Sequence, residues 1–112
     1  MTTTAKPLLS AKYAENTTTT QYTAPTGTRT IVDKFTGTNS SGSPATLSVY
    51  FVPSGGSAGV SNAVTVTKTL SASEVYTFPE LVGQILGPGE FIATLAGTAS
   101  AIVIRISGRE IT

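Results

Sequence analysis

Short runs of alternating apolar and polar residues, each closed by glycine, proline or serine, recur along this chain and narrow the folds open to it. Ala45 to Val52 shows the pattern most plainly. Leu47, Val49 and Phe51 fall on one side of an extended backbone, and Thr46, Ser48 and Tyr50 fall on the other, as in a half-buried strand. Pro53 closes the run because proline cannot donate to a sheet ladder. Thr28 to Asn39 sets Ile31, Asp33 and Phe35 against Thr30, Val32, Lys34 and Thr36. Thr17 to Thr23 reads as a threonine-rich edge strand ended by the turn Ala24-Pro25-Thr26-Gly27. Val64 to Leu70, Glu74 to Phe78, Phe91 to Leu95 and Ala101 to Ile106 complete the strand set.

One segment departs from the period of two. Thr77-Phe78-Pro79-Glu80 has the T-x-x-E form of a capping box, in which the Thr hydroxyl and the Glu carboxylate satisfy free amides at a helix start. Leu81, Val82, Ile85 and Leu86 would then share a helical face, with Gly87-Pro88-Gly89 as the stop. The spacing predicts a helix of at most two turns over residues 79–86. Short, evenly spaced strands with one small insertion predict an all-β fold: an antiparallel β-sandwich of jelly-roll type. Residues 1–12 show no periodicity, and Pro7 interrupts Leu8-Leu9, so they are expected as an N-terminal arm outside a single domain spanning 13–112.

Charged residues make up only 12% of the chain, about half the usual fraction. The 21 threonines and 12 serines supply much of the polar surface instead. A surface so poor in charge suits burial against another protein, although threonine also fits the solvent side of a strand. The net charge is +1 and the seven basic residues are dispersed in sequence, which argues against nucleic acid as a partner. There is no cysteine, hence no disulfide framework or thiolate metal site. The leading residues lack the apolar run of a secretion signal, and no apolar stretch approaches the roughly 18 residues of a membrane span, so a soluble chain with no membrane partner is expected.

Reactive constellations are sparse. Gly55-Gly56-Ser57-Ala58-Gly59 matches the G-x-S-x-G pattern of a serine-hydrolase elbow. The chain has no histidine to act as base, and a strand rather than a helix follows the glycines, so a flexible connection is the better reading. The six carboxylates show no short pairing, and no metal-ligand spacing occurs. No enzymatic activity, cofactor, metal or small-molecule substrate is expected. The sequons at Asn16 and Asn39 read as ordinary turn or strand residues.

Arg105 and Asp33 interrupt apolar runs. Arg105 shares a side with Ala101 and Val103, opposite Ile102, Ile104 and Ile106. Either the charges point to solvent, or Asp33 and Arg105 pair across neighbouring strands, or both belong to a subunit interface. Tyrosine and arginine anchor such contacts, which makes Tyr13, Tyr22, Arg29, Asp33, Tyr50, Arg105 and Arg109 the candidate interface residues. Tyr50, on the polar side of its strand, is also the best candidate platform for a sugar ring, although packing across the strands against threonines is the better reading.

The blocks TRTIVDKFTGTNSSGSPATLSVYFVPSGG, PELVGQILGPGEFIATLAG and ASAIVIRISGREIT resemble small virion structural proteins of tailed bacteriophages, of the decoration, cement or staple type. The resemblance runs from Tyr22 to Ile111 and involves strand and turn residues without a reactive motif. It implies a small β-sandwich on the outer capsid surface of the virion, made in the host cytoplasm. There it would bridge neighbouring copies of the major capsid protein, as a homo-oligomer (dimer or trimer). Similar proteins also occur in tails and fibres, and a carbohydrate-binding module for host attachment is the alternative of a different class.

Overall fold

The computed structural model describes residues 1–112. Nine strands form: β1 (Thr3–Tyr13), β2 (Thr19–Thr23), β3 (Arg29–Asn39), β4 (Ala45–Val52), β5 (Ala63–Leu70), β6 (Val75–Thr77), β7 (Ile85–Leu86), β8 (Phe91–Ala96) and β9 (Ile102–Ile111). They build two antiparallel sheets, one ordered β1-β9-β3-β6 with β7 also on β3, the other β2-β8-β4-β5. Apart from β4–β5 and β6–β7, every connection crosses from one sheet to the other. With β7 set aside, this is the eight-strand order of a jelly roll made of two Greek keys. The expected all-β sandwich is the architecture found.

The core lies between the sheets. Ile102, Ile104 and Ile106 of β9 point inward with no exposure, facing Leu47 and Val49 of β4 and Ile92 of β8. Burying each such side chain contributes roughly 1.5–3 kcal/mol of transfer free energy. Phe78 closes one side, edge-on to both Phe35 and Tyr76, with ring centroids 5.1 Å and 4.7 Å away. Gly37, in mid-strand, makes room for that ring: a Cβ there would stand 3.1 Å from Phe78 Cε1.

Several sequence expectations are corrected. Residues 3–13 are not an arm outside the domain but the edge strand β1, paired with β9 from Thr3↔Ile111 to Tyr13↔Val103. Leu8 is its one buried side chain, which is why no apolar rhythm marked it. The helix over 79–86 shrinks to one 3-10 turn, Pro79–Leu81, because Thr77 is committed to β6 and Phe78, without a side-chain cap, occupies the N-cap. Gly83 then turns the chain with φ +83°, and Ile85–Leu86 joins β3 as a strand. In β3 the alternation breaks at a bulge: Val32 and Phe35 are both buried, while Asp33 and Lys34 between them both point out.

All the sheet edges are blunted. β1 carries two register shifts and Pro7, β2 one shift and β5 two, while β6 and β7 are three and two residues long. Such edges resist strand-on-strand association.

Candidate interaction face

Alternation along a strand and register between strands together place each side chain on the outer side of the β1-β9-β3-β6 sheet. Rows run across it. Thr3, Ile111 and Arg29 form the row at one end, followed by Ala5, Arg109, Ile31 and Ile85. Pro7, Ser107 and Lys34 come next, then Arg105, Thr36 and Thr77, and last Tyr13, Val103, Thr38 and Val75. The face thus carries apolar side chains towards both ends, with Arg29 and Arg109 among those of one end and Lys34 and Arg105 in the middle rows. No element covers it, and Ile85 and Val75 are 61% and 63% exposed.

Five of the seven candidate interface residues meet on this face: Tyr13, Arg29, Asp33, Arg105 and Arg109. The bulge in β3 is what brings Asp33 here, since it turns two consecutive side chains outward. Asp33 does not pair with Arg105. The register sets Arg105 opposite Thr36, and Asp33 accepts instead from Arg109, at 3.0 and 3.2 Å from Nε and 2.9 Å from Nη2. Those bonds raise the Arg109 guanidinium above its ordinary value.

The other two candidates lie elsewhere. Tyr22 sits between the sheets, where its hydroxyl bonds to Thr30 Oγ1 at 2.8 Å and donates to Glu110 at 2.5 Å. Burial, helped by the neighbouring Glu110 carboxylate, pushes its phenol up to about 12. Tyr50 is only 9% exposed, packed with Val52 and Ala93 on the outer side of the second sheet, where Ala58 and Ala63 also lie. Its ring offers no open platform for a sugar. The loop that leads into β5 packs against this cluster through Ala58.

That loop contains Gly55 to Gly59, expected as a slack connection. It is anchored. Asn62 accepts from the Gly59 amide at 3.0 Å and donates to the Ser57 carbonyl at 2.9 Å. Asn39 is likewise consumed by structure: it has no exposure and donates to the carbonyls of Ser43 and Leu70 at 2.8 and 3.0 Å.

The basic residues that look dispersed in sequence are gathered by the topology. Four of the seven, Arg29, Lys34, Arg105 and Arg109, lie on adjacent strands of one face, a signal visible only once β9 is known to lie beside β3. The surface has no pocket, and no group of three or more acidic residues comes together in a metal-ligand arrangement.

No protein-family model matches the chain, and no curated protein matches it in sequence. In structure it is similar to a virus capsid protein, a chain in the structure of infectious bursal disease virus, Gx strain. The TM-score is 0.51 at 11% identity, over 97% of this chain and 31% of that one. The chain therefore spans about a third of the length of that capsid protein. At this identity the likeness is one of fold alone, an antiparallel β-sandwich.

Proposed function

We propose that this chain is a non-enzymatic virion structural protein that reinforces the capsid of a tailed bacteriophage. In this reading it sits on the outer surface and bridges neighbouring copies of the major capsid protein, itself associating as a homo-oligomer. One observation carries the reading: an uncovered sheet face on which five candidate contact residues stand in register with exposed valine and isoleucine. The fold shared with a virus capsid protein supports it. So does the chemistry of the chain, which lacks the histidine and cysteine that most nucleophilic and metal-assisted mechanisms employ.

A protein that binds only the assembled lattice stabilises that lattice by mass action, and repetition over a symmetric shell adds avidity. Particles assembled without it should release their contents at a lower temperature than complete particles. The copy number should scale with that of the major capsid protein. Equal heat resistance with and without the protein would refute the clamping role, and a few copies confined to one vertex would move it to the tail.

A further inference from the structure

The ion pairs of this molecule are unevenly shared. Lys6 is bound to Glu110, Lys12 to Glu15 and Arg109 to Asp33, while Lys68 stands 4.5 Å above the Tyr76 ring. Three basic side chains are left without an ionic or aromatic partner: Arg29, Lys34 and Arg105. All three are exposed, and all three lie on the outer face of the β1-β9-β3-β6 sheet. That face holds four cations and one carboxylate, a net of +3 in a chain whose total is +1, so the remainder carries −2.

We propose that this face docks an acidic protein surface. Carboxylates of the partner pair with Lys34 and Arg105 in the middle rows and with Arg29 at the end. Apolar side chains of the partner meet Ile31, Ile85 and Ile111 on one flank and Tyr13, Val103 and Val75 on the other. Charge complementarity selects the acid, since free cations on a surface are best satisfied by carboxylates and guide encounter. The apolar flanks favour protein over nucleic acid: a phosphate backbone would leave exposed isoleucine and valine uncovered, whereas a protein surface buries them. The inference deepens the capsid reading by stating the chemistry of the partner surface. It is tested on the isolated chain, so the two stand or fall separately.

The test is an NMR titration of the full-length protein with a synthetic peptide alternating glutamate and valine, beside an oligothymidine of equal charge. The peptide should produce saturable shifts in the amides of β3 and β9, weakening as salt is raised. Lys34→Glu with Arg105→Glu should weaken peptide binding at least tenfold. Lys12→Glu with Lys68→Glu, the same change of net charge away from the face, should leave it intact. Arg105→Gln, a milder change, should give an intermediate loss with an unaltered amide spectrum. Shifts that persist in the Lys34→Glu, Arg105→Glu protein would overturn the proposal, as would shifts located elsewhere. Tighter binding of oligothymidine would reassign the face to nucleic acid. Self-association of the free protein through β3 and β9 would reassign it to a second copy. Loss of particle heat resistance on omitting the protein tests the capsid reading alone.

Discussion

Asp33 and Arg109 lie on adjacent strands, Arg109 opposite Ile31 two residues before Asp33, and the arginine grips the carboxylate with both Nε and Nη2. Their side chains are 42% and 44% exposed, so solvent screens the attraction heavily. The pair fixes where two charges stand on the face and adds little to stability. Asp33→Asn should therefore leave the midpoint of urea unfolding essentially unchanged. A marked fall would mean that the bulge at Asp33–Lys34 depends on the ion pair.

Opposite that bulge stands Gly108, paired with Val32. A Cβ at this position would lie 2.3 Å from the Ile31 carbonyl oxygen and 2.8 Å from Leu8 Cδ1. The Leu8 methyl can move, but the Ile31 oxygen belongs to the ladder itself. Gly108→Ala should cost about 1–3 kcal/mol, as overpacking does. The urea midpoint should drop with an unchanged m-value. Wild-type stability would show that β3 and β9 can part locally without cost.

The fold class is legible in the sequence because period-two alternation survives in β4 and β9, where Ile102, Ile104 and Ile106 mark the inner side unambiguously. What it hides is the bulges. An extra residue at Asp33–Lys34 inverts the phase, so Ile31 and Phe35, which share a side by counting, occupy opposite faces. The same device in β5 leaves Val66 59% exposed and Thr65 buried, the reverse of the simple alternation. The T-x-x-E signal at Thr77 fails for a tertiary reason: Glu80 accepts at 2.6 Å from Thr65 of the other sheet and so never reaches back to cap a helix. The candidate face was half legible. Residue type pointed to arginine and tyrosine, but only topology brings Arg29 and Lys34 beside Arg105 and Arg109.

Alkaline unfolding should report on Tyr22. Its folded-state value, raised to about 12 from 10.0 by burial first and Glu110 second, means that the phenolate is disfavoured in the native protein. A raised value contributes stability that is complete below the unfolded value near pH 10 and is lost as pH climbs through the folded one. Stability should thus decline between about pH 10 and 12. Tyr22→Phe should flatten that decline and remove the latest component of the tyrosinate absorbance titration. An unaltered alkaline limb in the phenylalanine protein would show that Tyr22 is not the group responsible.

Asn39 offers a sharper polarity test. Its amide nitrogen donates to two carbonyls while its oxygen accepts from the Ser41 amide at 3.0 Å and the Ser41 hydroxyl at 2.7 Å. Asn39→Asp keeps the shape and the acceptor but replaces the donor with an oxygen facing two carbonyl oxygens. Setting one oxygen of a buried carboxylate against two carbonyl oxygens should cost at least about 2 kcal/mol near neutral pH. The loss should shrink on acidification, because a protonated carboxyl donates again. A pH-independent loss would point to packing instead.

The bulge in β5 sets two opposed effects against each other. Thr67 holds φ +48°, a conformation a β-branched residue adopts only under constraint. The constraint is its amide, which donates to Ser48 Oγ at 2.8 Å from the neighbouring strand. Ser48 is only 7% exposed, so removing its hydroxyl leaves that amide without a partner in a place where water enters with difficulty. Ser48→Ala should therefore destabilise by about 1–2 kcal/mol. Thr67→Gly relieves the backbone but adds freedom to the unfolded chain, so the protein should be as stable as the parent or slightly more so. Combining the two separates the contributions: with glycine at 67 the bulge no longer needs the serine to hold a strained residue, and the Ser48→Ala loss should become smaller. Strictly additive losses in the double variant would show that the hydroxyl satisfies the amide and does nothing to hold Thr67 in its strained conformation.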